Sequence, residues 1–205
     1  MASVYDLKPA FQRLLRPLVG ALAGAGATAN QVTVAALLLS LATGAALVLY
    51  PQQRWILLLV PAVLFVRMAL NAIDGMLARE HRMASRLGAV LNELGDVVSD
   101  SALYLPLALV FPAPPWLVIG IVLAAVIGEM TGVVAVQIGA ARRYDGPMGK
   151  SDRAAVFGLL CLLLGLGVPA GAWLSYGLGA VLVLSCLTIV NRARKALKEA
   201  LDASD

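Results

Sequence analysis

The sequence predicts an all-α integral membrane protein, with six transmembrane helices preceded by an amphipathic interfacial helix. Three observations predict it. Of 205 residues, 60% are hydrophobic and 14% charged, with mean hydropathy +0.86, whereas a soluble domain is roughly a quarter charged. The apolar residues fall in runs of about twenty, the length that crosses a bilayer core of about 30 Å. A β-barrel would instead show short alternating segments. The basic residues, finally, gather in alternate loops. This profile excludes an ordinary cytosolic enzyme and a disordered tail.

Residues 1–29 come first. Val4, Leu7, Phe11, Leu14, Leu15 and Leu18 recur at spacings of three and four, with Lys8, Arg13 and Arg16 largely off that stripe. This is the pattern of a helix lying on a membrane surface, or of a plain amphipathic lead-in. Gly24, Gly26 and Ala27-Thr28-Ala29 turn the chain, and Asn30 is the expected N-cap of the first span, with Thr33 three residues on. The six spans are expected at 31–50, 55–77, 87–111, 116–139, 153–170 and 174–192. Residues 30–193 thus form one transmembrane domain, and 194–205 a cytoplasmic tail. The charges before Arg16 and the long first apolar run do not suit a cleavable signal peptide. Cys161 and Cys186 both lie in apolar runs and read as buried thiols rather than a disulfide.

Fourteen of the 16 basic residues fall on one side of this arrangement. They precede the first span, follow the second and fourth, and follow the last. By the positive-inside rule that side is cytoplasmic, and an even number of spans puts both termini there. The formal charge of +4 is this asymmetry and no sign of nucleic-acid binding. The opposite loops, Pro51–Arg54, Pro112–Pro115 and about 169–173, leave no room for an outer domain.

Polar residues inside membrane helices are costly, and function is their default reading. On the second span Arg67, Asn71, Asp74 and Ala78 are spaced four, three and four; on the third, Gly88, Asn92, Asp96 and Asp100 are spaced four each. Each set makes one helix face. The basic loop joining the spans is short, so the two faces are expected to meet near the cytoplasmic surface. Carboxylate and amide oxygens there suit Mg²⁺ or Mn²⁺ and metal-assisted phosphoryl transfer. Gly75, Ala78 and Gly88 could leave room for a ligand or only for tight packing. Arg79 could pair with a phosphate, or only mark the inside. Arg67 is expected to pair with Asp100 or Glu129, because an unpaired membrane charge is expensive. Lone His81 reads as a surface contact.

The stretch Asn71-x2-Asp74-Gly75-x2-Ala78-Arg79-x8-Gly88-x3-Asn92-x3-Asp96 resembles the D-x2-D-G-x2-A-R-x8-G-x3-D-x3-D motif of the CDP-alcohol phosphatidyltransferases. The spacing matches throughout, and six of eight identities are kept. The interfacial helix, Asn30 with Thr33, the six spans and Gly149-Lys150-Ser151-Asp152-Arg153 extend the likeness over most of the chain. The resemblance implies one or two Mg²⁺ or Mn²⁺ ions on Asp74, Asp96, Asn71 and Asn92; outside the motif, Asp100, one turn beyond Asp96 on the same face, or Glu93 could add charge to that set. It implies Asp74, Gly75, Ala78, Arg79, Gly88, Asn30 and Thr33 around the CDP group, and Asp96 as general base. CDP-diacylglycerol would give its phosphatidyl group to an alcohol and release CMP. Lys150 and Arg153, with Arg142 and Arg143 beside them, would bind a phosphorylated acceptor such as glycerol 3-phosphate or an inositol phosphate. The resemblance further implies a homodimer, a place in phospholipid biosynthesis, and a bacterial inner membrane with the active site on the cytoplasmic side.

Asn71 and Asn92 depart from the motif, where the family carries aspartate. Each keeps an oxygen and loses a charge, so metal affinity should fall. Three readings follow: an active enzyme with an altered site, a protein that binds CDP-lipid or anionic lipid without transfer, and a small transporter on the same scaffold.

Overall fold

The computed structural model describes residues 4–202, with side chains from residue 9 onward. The Val4 and Leu7 side chains of the expected stripe and the Lys8 side chain off it lie outside what is described, as do residues 203–205. Eight helices follow in order: α1 Val4–Gly24, α2 Ala29–Leu49, α3 Arg54–Glu80, α4 Arg86–Tyr104, α5 Leu107–Val110, α6 Pro115–Gln137, α7 Lys150–Gly165 and α8 Ala172–Asp202. The described residues contain no strand.

Four of these helices, α2, α3, α6 and α8, are long and apolar enough to cross a membrane. The other two expected spans differ for physical reasons. The stretch expected at 87–111 is broken after Tyr104, because Pro106 has no N–H to continue the ladder. Its main part, α4, carries Arg86, Glu93, Asp96 and Asp100 within 19 residues. The fifth, α7, has 16 residues, about 24 Å of helix, and opens on Lys150, Asp152 and Arg153. At 31 residues, α8 is about 46 Å long. It runs past residue 193 without a break, so residues 194–202 are helix rather than a separate tail.

The first helices are set by local chemistry. Thr28, not Asn30, caps α2: its hydroxyl accepts from Gln31 N at 3.2 Å, while Gln31 Oε1 accepts from Thr28 N at 2.9 Å. This reciprocal pair satisfies two free donors at once and leaves Asn30 for another use. Ser85 caps α4, its Oγ accepting from Gly88 N at 2.9 Å. Along α1, Leu15, Val19, Leu22 and Ala23 pack on Ile73, Met76 and Leu77 of α3. Leu14 and Leu18 face outward. Arg16 joins Glu80 at the end of α3, at 2.9 Å on the exposed surface.

The main core lies toward the other end of the bundle. Tyr104 stacks on Phe157 with centroids 4.4 Å apart, among Leu103, Leu107, Ile121 and Leu178. Elsewhere α3 packs on α7 and α1, and α6 on α8 and α4. Both α3 and α4 lie along α2, with their backbones held apart from one another. The two polar faces meet, as expected, through side chains: Arg67 of α3 reaches Asp100 of α4, with α2 lying along both helices. The parallel pair α2 and α4 is drawn close by small residues. A Cβ at Gly44 would stand 2.0 Å from the Ala102 carbonyl oxygen, so only glycine permits this crossing.

Candidate active site

The cleft is built at the site end of four helices. From the first turns of α2 come Asn30 and Thr33. A Cβ at Gly88 would stand 2.7 Å from Asn30 Oδ1, so the missing side chain is what admits the Asn30 amide beside α4. Thr33 donates its hydroxyl proton to Asp74 Oδ2 at 2.8 Å and also approaches Ala29 O at 3.1 Å. That contact orients the Asp74 carboxylate, which is buried. Along α3, the Arg79 guanidinium lies over Gly75, its Nη atoms 3.2 Å from where a Cβ would be. From α4 comes Asp96, close enough to Asp74 for their charges to interact. From the first turn of α7 comes Lys150, whose Nζ stands 2.5 Å from Asp96 Oδ1.

Asn30, Thr33, Asp74, Gly75, Arg79, Gly88 and Asp96 are thus brought together. Asn71 and Ala78 are partly buried on the same α3 face, and Asn92 is exposed on α4. Neither asparagine makes a side-chain hydrogen bond among the described residues, so both amides are free to face a ligand. The donors are all oxygens, the kind hard divalent cations take. Only two are charged, and no cluster of three His, Cys, Asp or Glu suited to a metal occurs among the described residues.

Behind Asp96 lies a network of buried ion pairs. Arg67 pairs with Asp100, as expected, through Nη1 at 3.0 Å and Nη2 at 3.1 Å. The second oxygen of Asp100 faces Arg153 at 3.3 Å. Both carboxylate oxygens of Asp100, a candidate metal ligand from the sequence, therefore face guanidinium groups. Glu129 collects three arginines: Arg142 at 3.0 Å, Arg153 at 3.3 Å and Arg192 at 3.3 Å. Arg142 also meets Glu93 at 2.9 Å and lies over the Tyr144 ring at 4.6 Å. Burial alone would lower the Arg142 pKa, but its hydrogen bonds to Glu93 and Glu129 outweigh that and raise it. Arg143 joins Asp145 at 2.8 Å and Glu199 at 2.5 Å. Arg192, 2% exposed, donates to Gly128 O at 2.7 Å and Asp145 O at 3.1 Å.

Of the residues expected at the acceptor, Arg142, Arg143 and Arg153 are each paired with acidic residues, and Arg153 is 2% exposed. Only Lys150 reaches the cleft, and it does so on Asp96. Sequence reasoning missed the roles of Arg192, Glu93, Asp145 and Glu199. Arg192 reads as one more flanking cation, and the acidic three sit outside any motif. Glu129 carried a usable signal as a lone carboxylate inside an apolar run.

The comparisons with known proteins agree with this geometry. Residues 27–190 match the family model described as CDP-alcohol phosphatidyltransferase. The chain is 47% identical over 197 residues to the inner membrane protein YnbA of Escherichia coli K12, covering 95% of this chain and 96% of that one. Two solved structures of the Mycobacterium tuberculosis phosphatidylinositol phosphate synthase PgsA1 are similar. The complex with manganese and citrate superposes with a TM-score of 0.73 at 26% identity, covering 88% of each chain. The form with CDP-DAG bound gives 0.74 at 24% identity, covering 90% of this chain and 94% of that one, a likeness of fold. The chain therefore belongs to the CDP-alcohol phosphatidyltransferase family, divalent-metal-dependent membrane enzymes of phospholipid biosynthesis.

Proposed function

We propose that this protein moves a phosphatidyl group from CDP-diacylglycerol to an alcohol and releases CMP. The observation that carries the reading is one cleft in which Thr33 orients Asp74 and Lys150 holds Asp96 within reach of Asp74's charge. Asp96 takes the proton of the acceptor hydroxyl. That oxygen then forms its bond to the phosphorus bearing diacylglycerol, the pyrophosphate bridge breaks, and CMP leaves with the bonding electrons. Asn30, Gly75, Ala78, Arg79 and Gly88 surround the CDP group, with Arg79 at its phosphates.

The oxygen donors Asp74, Asp96, Asn71 and Asn92 fit a hard divalent cation in kind, at half the carboxylate charge of the family motif. They would hold Mg²⁺ or Mn²⁺, as one ion or a weaker pair, and the metal when bound neutralises pyrophosphate charge. A second reading, binding of the nucleotide lipid without transfer, is favoured by that same loss of charge and by the Lys150 ammonium against Asp96.

We place the chain in a bacterial inner membrane, with α4–α5 and α7 completing six crossings and α1 on the surface. The outward-facing Leu14 and Leu18 support that place for α1. The one-sided basic residues support cytoplasmic termini and a cytoplasmic site. Pairing as a homodimer rests on the family resemblance alone.

The deciding experiment measures CMP release from CDP-diacylglycerol by the purified protein with Mn²⁺ or Mg²⁺ and a panel of alcohols. Acceptor-dependent CMP that falls by about 10²-fold or more in Asp96→Asn is expected for loss of a general base. A folded protein that binds the nucleotide lipid and releases no CMP with any acceptor supports the binding-only reading.

A further inference from the structure

We propose that the end of the bundle opposite the catalytic cleft binds one anionic phospholipid, whose phosphate sits on Arg54. Three connections meet at that end: Pro51–Arg54 between α2 and α3, the turn around Pro112 between α5 and α6, and residues 166–171 between α7 and α8. They enclose a cavity of about 330 Å³, within the range of small-ligand sites, about 300–1,000 Å³. It is lined by apolar Leu57, Val110, Leu164 and Val168 and by polar Gln53 and Arg54.

Arg54 is the only charged residue in 31–66, 101–128 and 154–191, the stretches that run to and from this end. It makes no ion pair or hydrogen bond among the described residues. Its charge is also placed in the first turn of α3, where the helix dipole disfavours a cation. Across the cavity mouth stands Gly167, at φ +91, with Arg54 Nη1 3.4 Å from where a Cβ would be. The missing side chain lets the guanidinium lie against the α7–α8 turn. With no carboxylate at this end of the chain, the counter-charge must come from outside, and a phosphate accepts two parallel N–H bonds from one arginine. The Gln53 side chain, also without a partner, is a further donor at the same place.

The surroundings select a lipid over a free anion. Tyr50 and Trp55, with ring centroids 6.4 Å apart, are exposed on the first connection, and Trp173 follows the third. Aromatic residues of this kind mark the headgroup level of a bilayer. The apolar walls match the glyceryl and first acyl carbons of a lipid, whereas inorganic phosphate would gain nothing from covering them. A zwitterionic headgroup brings a cation for which this end offers no carboxylate, so a net negative headgroup is preferred.

The test is native mass spectrometry of the full-length protein, delipidated in detergent and mixed with equal amounts of phosphatidylglycerol and phosphatidylcholine of the same acyl chains. Arg54→Gln removes the cation, and Gln53→Glu supplies it with a carboxylate from within. Both positions are exposed, and circular dichroism checks that the variants fold. Wild type should keep one phosphatidylglycerol more than either variant, its Kd for that molecule lower by about tenfold or more. Retained phosphatidylcholine should be the same in all three. Arg82→Gln, on the α3–α4 loop at the other end, should behave as wild type. Equal phosphatidylglycerol retention by wild type and Arg54→Gln overturns the proposal, and so does wild-type retention by Gln53→Glu. A matching loss of phosphatidylcholine in the variants overturns the preference for a net negative headgroup. Displacement of the bound lipid by millimolar inorganic phosphate overturns the choice of a lipid over a free anion. No readout involves CMP, so the result stands apart from the transfer reading above.

Discussion

Asp100→Leu isolates the buried network from the chemistry of the cleft. Arg67 is 4% exposed, and both of its hydrogen bonds end on Asp100 Oδ1. Its Nε already lacks an acceptor. Removing the carboxylate leaves this guanidinium buried with no hydrogen-bond partner. Arg153 is better protected, because Glu129 and Met148 O each remain at 3.3 Å. The loss therefore falls chiefly on one charge, and breaking one partner from a buried pair costs about 3–5 kcal/mol. At about 1.4 kcal/mol per decade that is about two to four decades in the unfolding constant. Arg67→Met combined with Asp100→Leu removes both charges and should recover at least half of the loss, since apolar replacement of a whole pair is often neutral. Equilibrium unfolding in mixed SDS micelles, followed by circular dichroism, measures both. A single variant within about 0.5 kcal/mol of wild type would refute the reasoning, because it would mean that Arg67 does not depend on Asp100.

Other expectations are equally specific. Asn71→Asp with Asn92→Asp restores two charges to the donor set and should tighten Mn²⁺ binding by about tenfold or more, read by electron paramagnetic resonance; unchanged affinity would show that these positions do not face the metal. Gly44→Ala places a Cβ 2.0 Å from Ala102 O and should cost about 1–3 kcal/mol of stability by overpacking. Wild-type unfolding of that variant would contradict the close α2–α4 crossing.

The parts of the fold that depend on local pattern are legible in the sequence. The apolar runs of α2, α3, α6 and α8 announce themselves by length, and α1 by its three-and-four spacing. The Arg67–Asp100 pair follows from the expense of a lone membrane charge. Less legible is whatever depends on which helix lies beside which. Thr28 and Asn30 are both good capping residues two positions apart, and the Gln31 side chain decides in favour of Thr28. The α3 and α4 motif faces do meet, as the short loop between them suggests, but the part of α2 in holding both helices is not visible in any spacing. Arg142, Arg143, Arg153 and Arg192 look like a cytoplasmic fringe because most of their acidic partners lie on other helices. Arg192 and Glu129 are 63 positions apart, and no spacing rule reaches that far.

The three-arginine grip on Glu129 also bears on how the protein is made. Synthesis delivers α6 before α7 and α8, so its carboxylate waits in the membrane while Arg142, Arg153 and Arg192 follow in turn. The final helix supplies the last of these guanidinium groups, along with the carboxylate of Glu199 that secures Arg143. A chain stopped ahead of Arg192 would leave earlier helices electrically unfinished. A product shortened before Arg192 should therefore be less stable, because it leaves Glu129 short of one guanidinium and Arg143 short of one carboxylate.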